Sequence, residues 1–104
     1  MLVIRDEQLA ALEGVAVRAF ALRLSEALAP ELPELPRVQR VRWTRRAVEL
    51  GREHGLRRKA HYLRLARCVI AWTGEVPPWA EEVLAGGLLS AGAKLERLEA
   101  GEEA

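Results

Sequence analysis

One cysteine, no apolar run of membrane length and no stretch of alternating apolar and polar residues exclude disulfide-stapled, membrane-spanning and β-rich folds before any motif is considered. Cys68 has no second cysteine with which to close an internal disulfide, which points to a reducing compartment and to a small, buried apolar role for its side chain. Met1-Leu2-Val3-Ile4 is followed at once by Arg5-Asp6-Glu7, too short an apolar stretch for a secretion signal. No later run approaches the roughly eighteen residues of a membrane span, so the chain is expected to be cytoplasmic with no membrane partner. The missing alternation leaves no strand candidate, and no internal repeat occurs. Signatures of chemistry are missing too. There is no serine, histidine and aspartate set that spacing supports, no glycine-rich phosphate loop, no CxxC and no pair of carboxylates in an apolar setting. The expectation is a protein that is not an enzyme and takes no cofactor.

What the chain does have is charge, and the charge is segregated. Residues 37 to 67 hold eleven of the sixteen Lys and Arg residues against only Glu49 and Glu53, a formal +9 in a protein whose net charge is +1. Residues 1 to 36 carry three cations against six acids, and residues 68 to 104 carry two against seven. Fourteen of the sixteen cations are arginine, a bias that genomic base composition also produces, so distribution carries the inference rather than abundance. A field of this shape steers an acidic partner even when the net charge is small.

At 104 residues the chain reads as a single domain over residues 1 to 104, long enough to bury about two-thirds of its unfolded surface. Leu9, Leu12, Ala16, Phe20, Leu24 and Leu28 repeat at three-to-four spacing and predict an amphipathic helix over residues 6 to 28, with Asp6 and Glu7 at its positive end and Pro30 as its stop. The three prolines of residues 30 to 36 predict a stiff, extended connector. A second helix runs from Val38 through Val41, Arg45 and Val48, with Trp43 and Ala47 offset, to a glycine stop at Gly55. Gly51 inside it marks a close helix crossing. A third helix over residues 58 to 73 presents Tyr62, Leu63, Ala66, Val69, Ile70 and Trp72 to the core. Gly74 ends it, Pro77-Pro78 opens a short helix from Trp79 to Ala85, and Ser90 caps a last one over residues 91 to 99, beyond which residues 100 to 104 fray. The fold class is all-α: a small antiparallel bundle of four to five helices, two or three long and two short.

The basic hairpin invites a nucleic-acid reading, in which Arg40, Arg42, Arg45, Arg46, Arg52, Arg57, Arg58 and Lys59 meet phosphates and Gly55 forms the turn of a helix-turn-helix. A recognition helix starting near Arg57 would then be mostly apolar on two faces, with few side chains suited to base edges. His54, His61 and Cys68 recur every seven residues, yet the Gly55 turn separates the first from the others, which lie two helical turns apart; no metal site is expected. Glu49 and Glu53, one helical turn apart among arginines, suit surface ion pairs. Trp72 reads as core, whereas Trp43 and Trp79 are candidates for anchoring a partner.

The order of short features is informative as well. The opening Val3-Ile4-Arg5-Asp6-Glu7-Gln8 runs into a helix with Phe20. Arg46-Ala47, the turn Gly55-Leu56, Tyr62-Leu63, Gly74, and Pro78-Trp79-Ala80 before Leu84 then follow in sequence. This order, from residue 3 to about residue 98, resembles a group of small helical proteins encoded beside the spike and adaptor genes of bacterial type VI secretion clusters. The chain departs from the group where it has Arg57-Arg58-Lys59 in place of a hydroxyl residue and an acid, and in its shorter connector. The resemblance implies an accessory role, holding a toxin or linking it to the delivery spike. The combined expectation is a protein-binding module that engages an acidic surface through Arg42, Arg45, Arg46, Arg57, Arg58, Lys59, Trp43 and Trp79. Nucleic acid is the alternative partner. A homo-oligomer is a third arrangement, with the acidic ends of one copy meeting the basic middle of another.

Overall fold

The first apolar stripe is realised as α1 (Gly14–Leu28), the opening element of a computed structural model that describes residues 14–101. Phe20, Leu24 and Leu28 are buried on it, and Val17, Ala21 and Ser25, each three positions before one of these, widen the line into a band. The expected first turn at Asp6 and Glu7, together with Leu9 and Leu12, lies outside the described residues, as does the tail after Gly101.

The connector departs from the extended form. Ala29–Glu31 is a 3-10 turn, and the Leu35 N–H donates to the Leu32 carbonyl at 3.1 Å in a second turn. Leu32 and Leu35 pack against the core from this coiled segment. The prolines alternate with two leucines, and giving both leucines a place against the core requires the chain to turn between them.

Pro36 leads into α2 (Arg37–Glu53), whose buried line is Arg40, Thr44, Ala47, Val48, Leu50 and Gly51. The face is rotated from the one the valine spacing suggested: Val38 is 69% exposed and Arg45 is also exposed. α2 packs against both α1 and α3, so its buried arc is set by two neighbours rather than by its own apolar residues. At its end the Gly55 N–H donates to the Arg52 carbonyl at 3.2 Å and the Leu56 N–H to the Gly51 carbonyl at 2.9 Å. Gly55, at φ +75°, takes the left-handed conformation that this pair of bonds needs, and buried Leu56 supplies the apolar contact that accompanies it.

α3 (Lys59–Ala71) returns alongside α2, burying Tyr62, Leu65, Ala66, Cys68, Val69 and Ile70. The two helices run antiparallel along their length, because Gly51 meets Tyr62 near the turn and Trp43 meets Gly74 at the far end. A Cβ on Gly51 would lie 2.8 Å from Tyr62 Cε1, so the expected close crossing is present. The Tyr62 hydroxyl donates to the Leu56 carbonyl at 2.8 Å, and Phe20 of α1 meets the Tyr62 ring edge-on at 5.3 Å, joining three elements at one aromatic centre.

α3 ends on a second hydrogen-bonded cap. Thr73 and Gly74 N–H groups donate to the Ile70 and Val69 carbonyls, both at 2.9 Å, with Thr73 at φ +53°. A β-branched residue in this region costs about 1–2 kcal/mol. α4 (Pro78–Ala85) and α5 (Ala91–Ala100) complete the bundle: Ser90 Oγ accepts from the Ala93 N–H at 3.2 Å, and Lys94 Nζ donates to the Leu84 carbonyl at 2.7 Å, which ties the two short helices together. The result is an all-α bundle of five helices with no strand among the described residues. Its radius of gyration, 13.0 Å, matches a packed chain of this length.

Candidate functional site

The eleven cations of residues 37 to 67 divide into two groups once folded. In the body of the bundle they are neutralised, chiefly by acids from the flanking segments. Arg37 pairs with Glu26 of α1 at 3.4 Å and Arg46 with Glu81 of α4 at 3.7 Å. Arg64 grips both carboxylate oxygens of Glu99 in α5, at 2.9 and 2.6 Å, and Arg67 both oxygens of Glu31 in the connector, at 3.0 Å each. The hydrogen bonds from Arg64 and Arg67 hold the Glu99 and Glu31 carboxyls below the usual carboxylate range, and the same bonds raise both guanidiniums. Arg45 pairs with Glu49 one turn along α2 at 3.1 Å. Arg40 is buried, and its Nε donates to Ser25 Oγ of α1 at 3.0 Å. It is therefore a packing residue of the α1 and α2 contact, not a surface cation.

The second group is at the α2–α3 turn. Arg52 lies in the last turn of α2, Arg57 and Arg58 in the connection, and Lys59 begins α3; none has an ion-pair partner among the described residues. Arg57, Arg58 and Lys59 are exposed. Glu53 is the one carboxylate in the segment from Arg52 to Lys59. No acid stands in the first turn of α3 and no side chain caps it, so three cations surround the positive end of a helix dipole. That placement is locally unfavourable, by roughly 0.3–1 kcal/mol per charge at low salt. Arg42 extends the unpaired set along the exposed side of α2.

The tryptophans do not join this cluster. Trp79 meets Trp72 edge-on, with ring centroids 5.9 Å apart, where α4 leaves the end of α3. Trp43 lies over Gly74 at the opposite end of the hairpin from the basic turn, where a glycine Cβ would be 2.5 Å from the indole Cδ1. All three are half-buried against the core. Of the eight expected site residues, the structure brings Arg57, Arg58 and Lys59 together at the turn, leaves Arg42 and Arg45 exposed further back along α2, with Arg42 next to Trp43 towards the opposite end of the hairpin, and ties Arg46 to α4. Arg52 is the cation that the expected site lacks; its position in the last turn before Gly55 is the signal that places it there.

The antiparallel course of α2 and α3 also bears on the helix-turn-helix reading, since that motif crosses its helices at about 90–120°. Here the partner helix covers α3 along its length. Cys68 is buried, and burial pushes its thiol up to about 11, with Glu99 adding to the shift. It is an inert packing residue at neutral pH. Among the described residues, no group of three or more His, Cys, Asp or Glu side chains is placed to hold a metal ion, and no helix is long and apolar enough to cross a membrane.

A separate open feature sits at the far end of the hairpin, a groove of about 430 Å³ lined by Leu32, Leu35, Trp43 and Ile70 with Glu34 and Thr73 at its rim. Comparisons of the chain with protein-family models, with curated proteins and with solved structures return no match.

Proposed function

We propose that this chain is a non-enzymatic interaction protein that holds an acidic protein surface at the basic turn between α2 and α3. One observation carries the reading. The fold neutralises Arg37, Arg45, Arg46, Arg64 and Arg67 internally, yet leaves Arg57, Arg58 and Lys59 unpaired at the start of α3, a helix end where positive charge is costly, with Arg52 also unpaired in the last turn of α2. Charge held at such a cost is charge with a use outside the chain. An unscreened cationic end speeds encounter with a complementary surface and rejects like-charged ones. Arg42 and Arg45 extend the proposed face along α2, while Trp43 and Trp79 serve packing. The resemblance to secretion-associated accessory proteins supplies the partner class: a toxin, or a component of its delivery spike, held in the cytoplasm before export.

The test compares wild type with the Arg57→Glu, Arg58→Glu, Lys59→Glu triple variant as baits in nuclease-treated native lysate. Wild type is expected to enrich a protein with an acidic surface that the variant loses. The variant's thermal midpoint is expected to hold or rise slightly, because acids now meet the positive end of α3. Equal capture by both baits would remove the basic turn from the function. Material captured only without nuclease would assign the turn to nucleic acid instead, with the steep salt dependence of phosphate contacts.

A further inference from the structure

Away from the basic turn, two surface features complement each other. The first is the groove at the end of the hairpin, apolar in its lining and acidic at its rim. Glu31, beside it, is occupied by Arg67, but Glu34 has no ion-pair partner among the described residues. The groove is held open by its own walls. Trp43 is fixed against Gly74, and Thr73 is held at φ +53°, a strained conformation of the kind that collects at ligand clamps. The second feature is Leu88, 99% exposed, on the loop that joins α4 to α5. Gly86 and Gly87 precede it, and Arg97 of α5 borders the same loop without an ion-pair partner among the described residues.

An isolated exposed leucine needs no explanation. A naked leucine beside a free cation, on a molecule that also carries an unfilled apolar groove beside a free carboxylate, is a matched pair. We propose that the groove receives the Leu88 loop of a second copy of this chain, with Leu88 entering over Trp43 and Leu35 and Arg97 meeting Glu34. Glu82, which also borders the loop, stays in solvent. The contact differs from a meeting of acidic ends and basic middle, because it uses no cation of residues 37 to 67. Its centre is apolar and its rim carries one ion pair, the common anatomy of a protein contact. A knob and a hole at different places on the same chain make a heterologous, head-to-tail contact between copies, weak and concentration-dependent at this size.

Sedimentation equilibrium over about a hundredfold concentration range tests this. Wild type is expected to associate reversibly. Leu88→Asp should weaken association at least about tenfold, from the loss of one buried leucine. Glu34→Arg and Arg97→Glu should each weaken it about two- to fivefold, the scale of an exposed ion pair, and the double variant should recover the wild-type affinity. All three substitutions lie outside the core, and a circular-dichroism melt verifies that each of the four variants folds. A wild type that stays monomeric across the range overturns the proposal, as does association that ignores Leu88→Asp or a double variant no better than either single one. Association abolished by the Arg57, Arg58 and Lys59 reversal would place the contact at the basic turn and overturn it too. The two proposals use different residues, so either can fail alone.

Discussion

Thr44 carries a buried side-chain oxygen with no hydrogen-bond partner among the described residues, fully enclosed in α2. An unpaired buried hydroxyl is a net cost, and valine has nearly the same shape without it. Thr44→Val is therefore expected to stabilise the protein by about 1 kcal/mol, read as a higher urea midpoint at unchanged slope. One turn earlier, Arg40 shows the opposite arrangement, a buried charged group given an acceptor by Ser25. Neither role was legible in the sequence. Arg40 and Arg42 look alike in spacing and type; what separates them is that Ser25, fifteen positions back on α1, stands opposite one and not the other. Cys68 was legible, because a lone cysteine amid the apolar residues of a helix has few other fates.

Among the elements, the crossing of α2 and α3 is the contact with least slack. Gly51→Ala should cost about 1–3 kcal/mol, since overpacking against the Tyr62 ring outweighs the roughly 1 kcal/mol that alanine returns in helix propensity. Gly74→Ala should cost more, because its φ of +81° adds backbone strain to a collision with the Trp43 indole. Urea melts of both variants measure the difference. Prolines and glycines announced the ends of α2, α3 and α4, because each acts through its own backbone. The serine cap of α5 was equally visible. Two features were not: the turns of residues 29 to 35, which depend on where Leu32 and Leu35 find the core, and the buried arc of α2, which is fixed by two neighbouring helices. The unpaired end of the basic hairpin was half visible, since its arginines could be counted but the acids that would claim the others could not.

For the whole molecule, proton binding sets the pH range of stability. Burial pushes Tyr62 up to about 12 from 10.0 and Cys68 up to about 11 from 9.0, with Arg52 opposing the first shift and Glu99 adding to the second. Both groups hold their protons more tightly when folded, so their contribution is complete below pH 9.0 and is lost as pH rises towards about 12. Glu31 and Glu99 have the reverse sign: lowered by Arg67 and Arg64, they stabilise above pH 4.5 and lose that contribution as pH falls through their folded values. Denaturant midpoints measured across pH should therefore form a plateau between these limits. Tyr62→Phe should remove part of the alkaline fall, and Arg67→Gln part of the acid one. The junction of α3 and α4 reports on the same equilibrium optically. Trp72 and Trp79 sit 5.9 Å apart at 80°, close enough for their excited states to mix, so the native fold carries a split circular-dichroism band that exists only while α4 remains seated.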